Sequence, residues 1–511
     1  MGTPIMTIPF PSFSSLLAFL FFLFVLAKTL KSITSNSAPR LPPGPPKLPL
    51  LGNLHQLMGT LPHRSLRDLA RKYGPLMHLQ LGEVSTVVVS SPKVAMDVFK
   101  NHDTHFADRP RLVGANIFSN GFIDIAFSPY GDYWRRMRKV CQSQLLSANR
   151  VQSFRSIRED EVSNFISMIS QTAKTSSSFN FSRYVYLLNY GITARIAFGK
   201  KVKDQEAYIS VIREFFQYLI GFNMPDLYPS MKWFLHINGE MSKMGRLHRT
   251  GDVILENIVS EHKQHKIAKS NDGVQEDLVD ALLEIQQQEG KLKLSDQNIK
   301  ATINDIFSAG SDTLSTTIEW AMSELVTNPS VMERCQKEVR GVFEGKRNVE
   351  EAGLHELKYL KSVIKETLRL HPADPLLVPR ECRERCEMNG YEIPPNTRLI
   401  VNAWAIGRDP QYWADAERFE PERFLNSMID YKGTDFEFIP FGAGRRICPG
   451  IVFAMAGMEL LLAQLLFHFD WQLPDGKKPE ELDMTESFGA VVKRKEELYL
   501  IPILHQHDIP I

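Results

Sequence analysis

The sequence predicts a mainly α-helical protein with a minor β region, preceded by a single N-terminal transmembrane helix. Three observations carry that expectation. Long stretches with helical apolar spacing dominate the later chain, above all 295–328 and 451–469. Two short β-type runs, LMHLQLG at 76–82 and STVVVSS at 85–91, stand close enough to pair as a hairpin. The first 27 residues carry no charged side chain, and 8–27 reads IPFPSFSSLLAFLFFLFVLA.

Residues 1–37 are read as a membrane anchor with its helix over about 8–27. Twenty residues rising 1.5 Å each reach about 30 Å, the hydrocarbon thickness of a bilayer. A cleaved leader fits less well, because no basic residue precedes the run and no small-x-small site directly follows it. Lys28, Lys31, Arg40 and Lys47 follow instead, so the positive-inside rule places the remaining chain in the cytosol. Residues 38–53, APRLPPGPPKLPLLGN, hold six prolines, which exclude helix and favour extended polyproline II. A semi-rigid spacer between the membrane and a body starting at 54 is expected.

Sixty basic residues against 59 acidic ones leave a net charge of +1, so no global charge draws the chain to nucleic acid. The five cysteines, Cys141, Cys335, Cys382, Cys386 and Cys448, are too few and scattered for a disulfide framework. A reducing setting follows. Length alone suggests about three domains at ~150 residues each. No internal repeat or long structureless loop stands out.

The densest chemistry lies at 440–450, PFGAGRRICPG. Cys448 precedes Pro449, Gly450 and the apolar run, so its thiol is expected at a helix N-terminus with Pro449 at the first helical position. Free N–H groups, the helix dipole, Arg445 and Arg446 would all favour a thiolate. Gly442 and Gly444 would let the backbone turn tightly against something flat. The residues alone leave two outcomes open, a nucleophile and an axial metal ligand.

FGAGRRICPG, from Phe441, is similar to the haem-binding signature of the cytochrome P450 family, Phe-x-x-Gly-x-Arg-x-Cys-x-Gly, at every fixed position. The resemblance implies the P450 fold and one haem-binding catalytic domain over 54–511, against the three domains suggested by length. It also implies haem b ligated by the Cys448 thiolate, with Phe441 and Gly442 beside the macrocycle.

Further motifs carry the same likeness. KETLRL sets Glu366 and Arg369 three apart on one helical face, and FEPERF supplies Arg423. In the family such a trio locks the cysteine loop, a structural role. Within INDIFSAGSDTLSTT, Gly310 in mid-helix costs up to about 1 kcal/mol against alanine and so needs a reason. Ala309, Gly310 and Thr313 would leave a groove for a diatomic ligand, and a Thr313 hydroxyl bonded back to the i−4 carbonyl is compatible with that. The run resembles the family's Ala-Gly-x-Asp-Thr motif, which implies Asp312 and Thr313 as acid and alcohol in proton delivery. Leu314 departs from the small polar residue common at its position. In WRRMRK, Trp134 and Arg138 share a face, and Arg135 and Lys139 form a basic stripe suited to an acidic redox partner. Trp134 and Arg138 resemble the family's propionate-binding pair, and Arg446, Arg380 and Arg109 match further propionate positions.

The whole pattern, with LPPGPP and FADRP, looks like plant microsomal members of the family. That implies a single-pass enzyme of the endoplasmic reticulum membrane with its catalytic domain facing the cytosol. It would be a monooxygenase using O2 and electrons from NADPH through NADPH–cytochrome P450 reductase, because the chain itself shows no nucleotide or flavin fingerprint. Family position puts the substrate pocket on 111–127, on Asn304, Asp305, Ser308 and Ala309, on Asp374, Leu376 and Leu377, and near Ala490. These segments are mostly apolar, so a lipophilic plant specialised metabolite is expected, a terpenoid ahead of an alkaloid or phenolic. Asp374 departs from the family's small or apolar residue, and is either a contact to a substrate amine or hydroxyl or a solvated loop acid. A peroxide isomerase or dehydratase without reductase and a non-catalytic haem carrier or sensor are the rival functions. Intact Asp312 and Thr313 argue against the first.

Overall fold

A computed structural model describes residues 39–200, 205–268, 276–288 and 294–505. The anchor expected at 8–27 lies outside the described residues. The first elements are α1 (Pro62–Tyr73), the antiparallel pair β1 (Leu76–Leu81) and β2 (Val84–Val89), and α2 (Asp132–Val140). Helices α3 (Arg155–Ala173), α4 (Phe181–Phe198), α5 (Gln205–Phe216) and α6 (Glu240–Ala268) come next. They are followed by α7 (Asp296–Thr327), α8 (Pro329–Val342) and α9 (Lys358–Leu370). Strands β3 (Arg380–Glu381) and β4 (Arg398–Val401) precede α10 (Ile451–His468), and β5 (Phe469–Gln472), β6 (Glu486–Ser487), β7 (Lys493–Arg494) and β8 (Tyr499–Leu504) follow it; shorter helices and strands lie between these.

Helix α7 runs through the core. Ser295 caps it, with its side chain accepting from the Asn298 N–H while Asn298 reaches back to the cap, and Asn328 ends it just before Pro329. Helix α4 packs along α7 through polar contacts as well as apolar ones: Tyr186 OH lies 2.6 Å from Thr316 Oγ1 and Asn189 Nδ2 donates to Ser315 Oγ at 3.0 Å. By length and hydropathy α10 could cross a membrane, but Leu460–Phe467 are buried against α3, α7, α8 and α9, so it is a core helix.

The main sheet has the order β1-β2-β4-β3, with β2 and β4 parallel and Val88 opposite Ile400. Strand β4 carries four buried residues, including Arg398, and forms one wall of the site. The proline-rich stretch lies along β1, where His78 N donates to Pro43 O at 2.9 Å, and it is braced from within by Asn53 Nδ2, 3.2 Å from both Pro45 O and Pro46 O. One expectation, the lack of a long structureless stretch, is corrected. From 407 to 450 only Glu422–Leu425 and the turn Gly444–Arg446 are helical. Local turn hydrogen bonds satisfy much of its backbone, and arginine side chains take several of its remaining carbonyls, as the Arg369 contacts below show.

Candidate functional site

The loop before α10 is folded tightly on itself. Cys448 N donates to Phe441 O at 3.0 Å and Ile447 N to Gly444 O at 3.1 Å. Gly442 and Gly444 sit at φ 72° and 68°, the left-handed region that favours glycine. Gly444 is crowded as well, since a Cβ there would lie 2.5 Å from Asp103 Oδ1. Gly442 lines the central cavity, but Gly444 presses on Asp103 and not on a flat ligand.

Cys448 lies two residues before the Gly450 cap, so Pro449 precedes the helix and does not start it. The Gly450 N–H points at Sγ from 3.3 Å. Burial pushes the thiol up, and the Gly450 N–H and the Arg138 charge only partly offset it. The expected low-pKa thiol is therefore not produced by the helix terminus: desolvation wins. A metal binds the deprotonated sulfur, so ligation would set its charge.

A cavity of about 300 Å³ opens at Cys448 and reaches Ala309, Gly310 and Thr313 of α7. Arg109, Arg138, Arg380 and Arg446 line it too. Arg446 gives its three nitrogens to Ala107 O, Ile125 O and Ser128 O at 2.8, 3.3 and 2.6 Å. Burial and the nearby Arg380 and Arg138 charges push it down to about 9 despite Asp108 and Asp124. Arg109 is lowered likewise, by burial and then by Arg446 and Arg380. Arg380 is held by Asp103 at 2.7 Å, and Arg138 donates to Ile447 O. Such a cluster of buried cations is under-compensated by the protein's own acids, and two propionates would complete it. Haem b fits this donor set. Trp134 is not on the cavity wall: its Nε1 donates to Ile125 O at 3.1 Å, and its ring lies 4.3 Å from the Arg446 guanidinium. It supports Arg446 from behind.

The acid and alcohol of α7 are split between two faces. Thr313 lines the cavity, its Oγ1 donating to Ala309 O at 2.7 Å. Asp312 does not; Lys493 Nζ donates to its Oδ1 at 3.0 Å, while Oδ2 has no partner among the described residues. The expected acid and alcohol are thus one alcohol on the cavity wall and one acid behind it, because successive helical residues diverge by about 100°.

A second cavity of about 200 Å³ joins the first through Asp305, Ala309, Thr313, Asp374, Leu377 and Val378. Ser308 and Leu376 line it as well. Asn304 does not: it turns to the Tyr208 hydroxyl, 2.7 Å away, in a separate cleft of about 40 Å³. Asp374 is no solvated loop acid, since it faces both cavities. Phe216 at the end of α5 and Leu219, Ile220 and Phe222 after it, with Arg398 and Ile400 of β4, were not expected. An arginine inside the apolar run RLIV was the available signal for Arg398.

The trio of Glu366, Arg369 and Arg423 meets around the buried Glu366 carboxylate, with Arg369 fully buried and Arg423 at the rim. Arg369 Nε and Nη2 each lie 2.7 Å from the Glu366 carboxylate, and Arg423 Nε lies 2.9 Å from it. Arg369 also donates to Gly407 O, Ala416 O and Arg418 O, so α9 grips the irregular segment. Trp413 stacks on Arg369 and donates to Glu437 O at 3.3 Å, passing the grip to the start of the cysteine loop.

The arginines ask for carboxylates and the cysteine for a metal, and one group supplies both; fold and site are those of a haem-thiolate oxidoreductase. A sequence profile described as Cytochrome P450 matches residues 42–501, and the chain belongs to that family. It is 55% identical over 458 residues to Cytochrome P450 71D10 of Glycine max, covering 89% of both chains. It is 52% identical to Tabersonine 16-hydroxylase 1 of Catharanthus roseus and 50% identical to Premnaspirodiene oxygenase of Hyoscyamus muticus, covering 90% of this chain and 91% of each relative. A solved zebra fish cytochrome P450 with progesterone is 26% identical with a TM-score of 0.74, covering 87% of this chain and 100% of that one. The fold is the P450 fold, the cofactor is haem, and the chain is a plant-type monooxygenase.

Proposed function

We propose that this monooxygenase hydroxylates a lipophilic plant specialised metabolite with electrons from a membrane-bound NADPH–cytochrome P450 reductase. The observation that carries this reading is that Cys448 and Thr313 open into one cavity, which continues into an apolar one. The plant relatives named Premnaspirodiene oxygenase and Tabersonine 16-hydroxylase 1 support an oxygenation of a plant metabolite.

When bound, haem supplies dioxygen activation and insertion of one oxygen atom into a C–H bond. Cys448 would hold its iron, and Arg109, Arg138, Arg380 and Arg446 its propionates. The aromatic and aliphatic walls of the second cavity bind the substrate, orient it and exclude water. The Thr313 hydroxyl holds a proton at the cavity wall, and the Asp312–Lys493 pair connects the back of α7 with the surface. Lys493 is 31% exposed, against 1% for Asp312, so protons can reach the acid from solvent.

Two surfaces support the partners. Arg135, Arg383 and Arg445 gather around the Tyr130 ring, an exposed basic patch beside the cysteine loop that suits an acidic flavoprotein. Trp233, Phe234 and Ile237 expose large apolar side chains, which supports contact with the membrane beside the anchor expected at 1–37. The test is the ferrous carbon monoxide spectrum, then product analysis with reductase, NADPH and a panel of terpenoids, alkaloids and phenolics. A strongly red-shifted Soret band that Cys448→Ala loses, and an oxygenated product, are expected. An unshifted band in folded wild type overturns the assignment.

A further inference from the structure

Asp305 and Asp374 are the two acids lining the joined cavities among the described residues, and they are bound differently. Asp305 Oδ2 already accepts from the N–H groups of Ile125 and Ala126 at 2.7 and 3.3 Å, so it pins the 124–127 loop. Asp374 is far less satisfied. Its carboxylate takes the Leu376 N–H and lies near Arg109, but no ion pair within 4.0 Å joins it to Arg109. Arg109 is committed elsewhere, to Ala126 O, Val378 O and Pro379 O. Burial therefore outweighs the Arg109 charge, and the Asp374 carboxyl is pushed up to about 7. An anion so enclosed is stabilised most by a cation brought into the cavity with its own hydrogen bond.

The aromatic lining of the second cavity suits that cation. Phe118, Phe127, Phe216, Phe222 and Phe488 line the second cavity, and aromatic faces attract an ammonium group. Arg398 is the base that faces the same space, but its guanidinium is tied to Gly221 O and Asp226 O at 2.7 and 3.2 Å, with the Asp226 carboxylate nearby. We propose that Asp374 is the specificity-determining residue of the pocket and that the substrate is a lipophilic amine whose protonated nitrogen pairs with it. The inference rests on the monooxygenase reading above and narrows it, away from the neutral terpenoid expected from the sequence.

The test uses the haem-loaded full-length enzyme and a matched pair of probes, 1-methyl-4-phenylpiperidine and 1-methyl-4-phenylcyclohexane, titrated through the substrate-induced spectral shift. Wild type is expected to prefer the amine about tenfold or more. Asp374→Asn, which keeps an acceptor for the Leu376 N–H, should lose that preference while its Kd for the hydrocarbon stays within about twofold. Asp374→Ala should do the same if folding is retained, as judged by the carbon monoxide spectrum. Equal weakening of both probes would make Asp374 a turn residue only and overturn the proposal. An unchanged amine preference in Asp374→Asn overturns it too, and so does a wild type that prefers 4-phenylcyclohexanol to the amine. A normal carbon monoxide spectrum alongside any of these leaves the monooxygenase reading standing, whereas an abnormal one fails both.

Discussion

Lys493 Nζ stands 3.0 Å from Asp312 Oδ1, on a face of α7 that does not reach the cavity, while the next residue, Thr313, lines it. The acid is thus tethered toward β7 and the surface, and the alcohol toward the reacting centre. Loss of a positioned proton donor costs about 10²-fold or more in rate. Asp312→Asn is accordingly expected to lower the turnover number by that order, with the spectral Kd for substrate unchanged. Lys493→Met keeps the carboxylate but strips its partner, and should show a smaller loss in the same steady-state assay.

Thr313 tests the other half of this division. Its hydroxyl donates to Ala309 O at 2.7 Å and so is held by the helix until a better acceptor enters the cavity. Thr313→Ala should leave NADPH consumption largely intact while product per NADPH falls severalfold and hydrogen peroxide rises. Thr313→Ser should recover most of the coupling. Equal coupling in the alanine variant, from paired product and peroxide assays, removes the residue from proton delivery.

These two residues also mark where the sequence stops being legible. Features decided within a few residues were readable: the hairpin of β1 and β2, the start of α7 near Ser295 and its halt before Pro329, and the one-face spacing of Glu366 and Arg369. Features decided by a distant partner were not. Trp134 has the spacing of a cavity residue, yet Ile125 O on a neighbouring loop takes its N–H. Asn304 sits one turn from Ser308, but Tyr208 of α5 draws it into another cleft. The Cys448 environment was misjudged for a related reason, because charge counted along the chain says nothing of how completely a thiol is buried. The roof from Phe216 to Phe222 carried no motif at all.

The lock offers a stability test separable from chemistry. Glu366 and Arg369 are both fully buried, and Arg369 satisfies three carbonyls of a segment with little secondary structure of its own. Removing one member of such a pair leaves an uncompensated buried charge, at about 3–5 kcal/mol. Glu366→Gln and Arg369→Met should both give protein with sharply reduced haem content and a lower unfolding midpoint. Arg423→Met, whose side chain is 10% exposed and whose site keeps the Glu366–Arg369 pair, should be milder. Absorbance per polypeptide and thermal unfolding of purified protein distinguish them.

A pH-dependent contribution sits at the pocket's C-terminal wall. Glu486 on β6 lies 3.1 Å from His63 Nε2 and 2.8 Å from Arg64 Nη2, and Phe488, Gly489, Ala490 and Val491 just beyond it line the second cavity. Burial alone would raise the Glu486 carboxyl, but the His63 bond and the His63 and Arg64 charges outweigh it and hold it down at about 2. Burial lowers His63 itself, so near neutral pH the lasting charge partner is Arg64. The folded carboxyl is depressed below its unfolded value of about 4.3, so its stabilisation is complete above that value and fades as pH falls toward 2. Because Arg64 is 44% exposed, solvent screens the pair and the gain near neutrality is about 1–2 kcal/mol. Glu486→Gln should therefore be less stable than wild type at pH 7 by that amount, with the gap closing as pH falls from about 4.3 toward about 2 in denaturant titrations. The same substitution should weaken substrate binding at pH 7, read as a higher spectral Kd, because the wall at 488–491 loses its tie to α1. A gap that stays constant with pH would show that Glu486 acts through packing and not through its charge.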